Sequence, residues 1–334
     1  MEKKVSAVEG KRRRWLTQSL VIVILIVVLT IVTSIVNPRF LRITNILNIF
    51  QQIAILGIVA SGIGMLLVAG QIDISVGSQM SWMGVILAMI IQKMLGLPEG
   101  NVAAWRQASA IPLTIVVTFA VGALLGLVNG ITVVKSKAAS FIITLGFLTA
   151  YKGAALLTCK GASYMLFGKF EWLGRGRIWD LLPVSILFFA GVMILTFIVL
   201  KYFRYGRFLY AIGGNKQAAY VSGIKTNRVT ITAYVIVGLC NAMAALILIS
   251  RNGSALATTG DAYALDALAS VIVGGVALTG GRGNALSIFL GVLLIGLISN
   301  ALVIMNINPY ARDTVIGLII IVTVTVGSLT SARE

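Results

Sequence analysis

The sequence predicts an all-α membrane protein, a polytopic bundle of about ten transmembrane helices. Of its 334 residues, 58% are hydrophobic and 11% are charged, whereas soluble domains average roughly 25% charged residues. The mean hydropathy is +1.00. Apolar stretches of about 20 residues recur along the chain, which is the length a helix needs to cross a hydrocarbon core of about 30 Å. A β-barrel would show alternating segments of about ten residues instead.

The apolar stretches define the predicted spans, at 16–36, 46–70, 73–92, 110–134, 138–158, 182–201, 229–250, 263–279, 285–305 and 312–329. The first stretch is about 20 residues long and lacks a small-residue cleavage pattern, so we interpret it as a span and not as a signal peptide. Gly57, Gly62, Gly64 and Gly70 lie in the stretch 46–92, which contains the second and third spans. They predict one broken or re-entrant helix near 57–73.

Charge sets the predicted orientation. The net charge is +17, and most of the 27 lysines and arginines lie in short segments between apolar stretches. We interpret them as topology determinants and not as a nucleic-acid surface. The orientation that places more than half of them inside gives a basic cytoplasmic N-terminus at 1–15, a single transmembrane domain at 16–329 and a cytoplasmic tail at 330–334. Five basic residues then cluster around one external loop: Lys152, Lys160, Lys169, Arg175 and Arg177.

The chain lacks the residues that common catalytic, metal-binding and nucleotide-binding sites need. The chain has no histidine, and Cys159 and Cys240 lie in different predicted segments without metal-ligand spacing. No G-x-x-x-x-G-K-[ST] phosphate loop is present, and we interpret the GGRG sequence at 280–283 as a tight turn. We therefore expect no enzymatic activity, no metal and no cofactor bound by this chain.

Small and polar residues inside the spans predict close helix packing. Gly122, Gly126 and Gly130 form a double G-x-x-x-G pattern, which places small residues on one helix face where a neighbour can approach. Intramembrane amides either hold helices together or contact a solute, and the sequence leaves both readings open. They are Asn129, Asn241 and Asn300.

The segment 202–228 is long for a loop between spans and has its own order. Asn215 predicts an N-cap and Gly223 a left-handed C-terminal stop, so 216–222 is predicted to form a short cytoplasmic helix. Gly213 and Gly214 predict a turn before it. Such a helix either docks into a groove of another protein or serves as a structured connector.

Four stretches together resemble a known family. The segment 206–224 matches the pattern GR-x-x-x-A-I-G-G-N-x-x-A-A-x-x-S-G-I, and QIDISVGS at 71–78 is similar to G-I-D-L-S-V-G-S. The stretch 267–283 is similar to D-A-I-A-A-V-V-I-G-G…GGRG, and SFIITLG at 140–146 is a milder match to P-F-I-V-T-L-G. On these motifs the chain resembles the ribose/xylose/galactose-type (monosaccharide) permease subunits of bacterial ABC importers.

The resemblance implies that this chain works together with the other subunits of an importer. Such permeases pair with a second copy or a homologous permease, bind cytoplasmic ABC ATPases that use ATP and Mg, and receive solute from an extracytoplasmic binding protein. The chain would then be a non-catalytic, multi-pass subunit of the bacterial inner membrane that contacts lipid but no nucleic acid, with 202–228 as its coupling loop. The basic external loop is expected to help dock the binding protein.

The solute is a monosaccharide or a similar small polar molecule in this reading. Gln71, Ala139-Ser140 and Ala264 depart from the family pattern, so a nucleoside, an inositol or a signalling furanone stays open as the solute. An ion-coupled secondary transporter is the other alternative. It would call for an internal repeat and titratable groups near the bilayer midplane.

Two sets of site residues follow. The resemblance implies ATPase-coupling roles for Gly206, Arg207, Gly213, Gly214, Asn215, Gln217, Ala218, Ala219, Tyr220 and Gly223. The candidate residues of the substrate pathway are Gln51, Asp73, Ser75, Asn129, Phe141, Thr144 and Asp266. A carboxylate at the centre of a membrane helix costs about 2.5–3.5 kcal/mol. Asp73 and Asp266 therefore either support the structure at a helix end or contact the hydroxyl groups of a solute.

Overall fold

The computed structural model describes residues 20–100 and 102–307, together with Thr314, Gly317 and Leu318. Four sequence-based assignments fall wholly or partly outside these residues. They are the N-terminal segment 1–15, the start of the first span, most of the tenth span at 312–329 and the tail at 330–334.

The described chain is mostly helical, as the composition predicts. In chain order the helices are α1 Leu20–Val36, α2 Ile43–Val68, α3 Val76–Leu95, α4 Ala104–Ser136, α5 Ser140–Cys159, α6 Trp172–Arg175, α7 Val184–Lys201, α8 Arg204–Gly214, α9 Lys216–Val221, α10 Thr226–Asn252, α11 Asp261–Val273 and α12 Ala285–Ile304. A 3-10 helix, Pro38–Leu41, joins α1 to α2. Short antiparallel strands pair β1 Tyr164–Met165 with β4 Ser254–Ala255, and β2 Arg177–Ile178 with β3 Leu182–Pro183.

Six of the described helices are long and apolar enough to cross a membrane: α2, α4, α5, α7, α10 and α12. Helix α11 differs from the predicted span at 263–279, because it ends at Val273 and is followed by Gly275 with φ +101°. Its 13 residues rise only about 20 Å. The predicted span 263–279 is therefore helical only as far as Val273, and non-helical backbone follows it.

Helix α2 is the centre of the bundle. It is buried along most of its length and packs against α7, α10, α11 and α12. Gly57, Gly62 and Gly64 lie inside this unbroken helix, where neighbouring atoms occupy the space that a Cβ would need. The break predicted near 57–73 is therefore wrong for these three glycines. Non-helical backbone begins only after Val68 and continues to the start of α3.

The crossing of α4 and α10 is the most extensive helix contact in the described chain. Gly122, Gly126 and Gly130 all face α10, and backbone or Cβ atoms of Gly238, Tyr234 and Ile231 lie where a Cβ on these glycines would stand. The close approach predicted from the G-x-x-x-G pattern is confirmed. Without side chains in between, the two backbones gain dispersion contacts directly.

Substituting Gly126 with valine is expected to destabilise this crossing by about 3 kcal/mol, because the added side chain must displace the α10 backbone. The matched control is Gly191→Val in α7, where an added Cβ meets no atom within 4 Å. Thermal unfolding of both variants in detergent provides the measurement. Equal melting temperatures for the two variants would contradict the packing described here.

Candidate functional site

Residues 69–75 leave helical geometry inside the bundle, between α2 and α3. Side chains from other helices satisfy their backbone groups. Ser140 Oγ accepts from the Ile72 N–H at 3.0 Å, and the Tyr234 hydroxyl donates to the Ile72 carbonyl at 3.1 Å. Thr144 Oγ1 accepts from the Ile74 N–H at 3.4 Å. Non-helical backbone at membrane depth is tolerated only with such partners, so α5 and α10 hold this segment in place.

Asp73 is the central residue of this segment and is 1% exposed. Its Oδ1 accepts from the Ser75 N–H at 2.9 Å and from Ser75 Oγ at 2.6 Å. Its Oδ2 accepts from Asn129 Nδ2 at 3.1 Å and from Gln79 Nε2 at 3.3 Å. The carboxylate thus receives four hydrogen bonds from neutral donors. Charge-assisted bonds of this kind offset the cost of burial.

A further amide and a phenol extend these contacts. The Tyr151 hydroxyl donates to Asn129 Oδ1 at 2.7 Å, and Asn241 Nδ2 donates to Gln79 Oε1 at 3.0 Å. Asn241 Oδ1 is buried and has no hydrogen-bond partner among the described residues. We call the set Asp73, Ser75, Gln79, Asn129, Tyr151 and Asn241 the Asp73 network. It joins the start of α3 to α4, α5 and α10.

The structure brings together four of the predicted pathway residues and separates the other three. Asp73, Ser75, Asn129 and Thr144 all lie in or beside the Asp73 network. Gln79, Tyr151, Tyr234 and Ser140 were not predicted. Gln79 had a signal in the sequence, since it is an amide inside an apolar span. The hydroxyl residues had none, because membrane helices contain many serines and tyrosines with ordinary packing roles.

The other three predicted pathway residues have different surroundings. Gln51 Nε2 donates to the Gly174 carbonyl at 2.7 Å and so anchors the 160–183 connection. Phe141 is 48% exposed on α5, and its place in the substrate pathway stays a prediction. Asp266 is buried in α11 and lines a cavity of about 90 Å³ with Gln52 and Ser299.

Asn300, the third amide singled out from the sequence, joins two helices. Its amide and that of Asn45 donate to each other at 3.0 Å, which links α12 to α2. The reading of Asn300 as interhelical glue is therefore confirmed.

The segment 202–228 contains two helices, α8 and α9. The predicted caps of α9 are confirmed: Asn215 Oδ1 accepts from the Ala218 N–H at 2.9 Å, and Gly223 has φ +84°. The Gly223 N–H donates to the Tyr220 carbonyl and the Ile224 N–H to the Ala219 carbonyl, which is a Schellman ending. The turn predicted at Gly213 and Gly214 is wrong, because both residues belong to the last turn of α8.

Helix α8 is fixed to three other parts of the chain. The Tyr205 hydroxyl donates to the Val229 carbonyl of α10, and the Tyr210 hydroxyl donates to the Gly283 carbonyl. Burial raises the pKa of both phenols, so they remain protonated donors at neutral pH. Gly213 abuts the Val68 carbonyl and the Gly281 N–H so closely that no Cβ would fit. The last turn of α8 is therefore in direct backbone contact with the end of α2 and with Gly281.

The C-terminal end of α9 exposes two apolar side chains. Tyr220 is 65% and Val221 77% exposed, whereas Ala219 is 4% exposed and packs into the chain's own core. Ala219 is therefore too buried to contact a partner directly, and its predicted coupling role stays a prediction. Gly206 is buried as well, against the end of α7. The remaining predicted coupling residues on the surface are Arg207, Gly214, Asn215, Gln217, Ala218 and Gly223.

The basic cluster predicted around the external loop is smaller than expected. Lys152 lies within α5, seven residues before its end, and forms an ion pair with Asp261 at 2.7 Å. Arg175 pairs with Glu171 at 2.8 Å and also donates to the Arg251 carbonyl. Two of the five positive charges are therefore already engaged within the chain.

The buried polar network, the six long apolar helices and the folded loop define a multi-pass helical membrane protein. Residues 45–324 match the family described as "Branched-chain amino acid transport system / permease component". The chain belongs to this family of transport permeases.

Curated relatives cover most of the chain. The ribose import permease protein RbsC of Bacillus subtilis is 36% identical over 301 residues, which is 89% of this chain and 88% of the relative. RbsC of Escherichia coli K12 is 31% identical over 330 residues, covering 96% and 97%. The galactose/methyl galactoside import permease protein MglC of Haemophilus influenzae is 31% identical over 326 residues, covering 96% of each chain. No solved structure matches.

Proposed function

We propose that this chain is the transmembrane permease subunit of a binding-protein-dependent ABC importer, and that it forms the route of a monosaccharide or similar small polar solute. The observation that supports this most directly is the similarity over most of the chain to permeases named for ribose and galactose import. The apolar tip of α9 supports it further, since a docking element needs exposed apolar side chains at a rigid position.

The coupling loop 202–228 is the contact with the ATPase in this proposal. Tyr220 and Val221 enter a groove of the ATPase, and α8 passes the movement of α9 to the rest of the chain. Because Gly213 touches the Val68 backbone with no side chain in between, a shift of α8 also shifts the end of α2. The non-helical residues 69–75 and the Asp73 network follow directly in the chain.

In this proposal the ATPase, a second permease and a binding protein supply the functions that this chain lacks. The ATPase binds ATP and Mg, while this chain binds no cofactor and catalyses no reaction. A second copy or a homologous permease completes the route, and an extracytoplasmic binding protein delivers the solute at the end where the 160–183 connection lies. The chain spans the bacterial inner membrane about ten times, counting 312–329, with the termini at 1–15 and 330–334 both cytoplasmic and one permease domain between them.

Purified chain reconstituted in liposomes with its ATPase and binding protein is expected to accumulate labelled ribose or galactose only when ATP is present. Omitting the ATPase should abolish uptake, because this sequence has no phosphate-binding loop. Uptake of a nucleoside, an inositol, a furanone or a branched-chain amino acid in place of the sugars would show that the solute belongs to a different class. Uptake driven by a proton gradient without the ATPase would support a secondary transporter and refute the proposal.

A further inference from the structure

An ion pair lies within the membrane-spanning part of the chain and is only partly covered. Lys152 Nζ and Asp261 Oδ2 are 2.7 Å apart, with 43% and 34% of their side chains exposed. Lys152 is about 18 Å along α5 from its start and about 10 Å from its end. Charged residues at such depth face a bundle interior or a water-filled space, because exposure to lipid is costly.

Helix α3 fixes the position of Asp261 through contacts with its backbone and with Gly260. Asp261 begins α11, and the Gly260–Asp261 backbone rests against Gly77, where a Cβ would lie 2.7 Å from the Gly260 carbonyl. The Gly260 N–H also donates to Ser81 Oγ at 2.9 Å. The ion pair therefore joins α5 and α11 across the start of α3, one residue along α5 from Tyr151 of the Asp73 network.

A small cavity with polar side chains begins one residue along α11 from Asp261. Ala262, the next residue after Asp261, lines the 90 Å³ cavity that also contains Gln52, Asp266 and Ser299.

We propose that Lys152 and Asp261 line the solute route and bind the hydroxyl groups of the solute as it passes. This inference rests on the proposed function. The ammonium group donates to hydroxyl oxygens and the carboxylate accepts from hydroxyl protons, so the pair recognises a polyhydroxylated molecule from both sides. Because the groups also bind each other, each solute hydroxyl replaces an existing contact, and the solute is held weakly enough to move on.

The first test measures water access without any transport. In a chain with Cys159 and Cys240 replaced by alanine, Leu265→Cys places a thiol one turn from Asp261, at a position that is 63% exposed. The matched control is Ile194→Cys in α7, which is 59% exposed. In the assembled transporter, a charged hydrophilic thiol reagent is expected to modify Leu265→Cys, and only a lipid-soluble maleimide to modify Ile194→Cys. Resistance of Leu265→Cys to the hydrophilic reagent would overturn the proposal.

The second test separates solute binding from a structural ion pair. Lys152→Gln and Asp261→Asn are each expected to lower sugar uptake by about tenfold, with subunit assembly unchanged. The charge-exchanged double variant, Lys152→Asp with Asp261→Lys, rebuilds an ion pair in reverse and is expected to remain defective. Recovery of uptake to within about twofold of wild type would assign the pair a structural role only. If wild-type chain imports no sugar, the proposed function fails, while the thiol-labelling result still decides whether this surface lines a route.

Discussion

Replacing Tyr220 and Val221 together with aspartate is expected to reduce ATP-dependent uptake to background. Both side chains are exposed at the tip of α9, and two carboxylates there would have to be desolvated inside any apolar groove. The caps of α9 are unaffected, since Asn215 and Gly223 form them. The chain should therefore insert in the membrane normally and lose only its association with the ATPase.

Co-purification with the ATPase and uptake in liposomes, measured on the same preparation, test this expectation. The control is Tyr220→Phe with Val221→Ile, which keeps the surface apolar and should keep uptake near the wild-type level. Ala219→Arg is unsuitable for the purpose, because Ala219 is buried and the change would disturb the chain itself. Wild-type association and uptake in the double aspartate variant would show that α9 is not the coupling element.

Asp73→Leu is expected to prevent stable folding of the chain. Leucine removes the acceptor of four hydrogen bonds. The Ser75 N–H and hydroxyl lose their acceptor, and the amides of Asn129 and Gln79 keep only their bonds to Ser75 Oγ. Each buried donor left without a partner costs about 1–3 kcal/mol, so the two Ser75 donors alone remove a large part of the about 5–15 kcal/mol that stabilises a typical domain. Low yield in membranes and a lowered melting temperature in detergent are the expected observations.

Asp73→Asn provides the matched comparison. The asparagine oxygen can still accept from the Ser75 N–H, and the neighbouring amides of Asn129 and Gln79 can rotate to offer their oxygens. We therefore expect near-normal folding of this variant. A well-folded Asp73→Asn chain that has lost all uptake would show that the charge itself acts in transport. Normal uptake would assign Asp73 to holding residues 69–75 in place.

The local features of the chain were predictable from the sequence. Hydropathy located the long helices, and the residue types at 215 and 223 located both ends of α9. The physical reason is that these properties depend on neighbours in the chain. An N-cap bonds to an N–H three residues away, and a span is recognised by its own length and apolarity.

The tertiary structure alone decided which side chains meet. Asp73 bonds to Asn129, 56 residues away, and Lys152 pairs with Asp261, 109 residues away. Ala219 and Tyr220 are adjacent in sequence, but one is buried and the other exposed, since successive residues of a helix turn by about 100°. In a soluble protein an apolar stripe would reveal that rotation. In a membrane both the lipid-facing and the buried sides are apolar, so the sequence determined where the helices lie, and only their packing determined which faces meet.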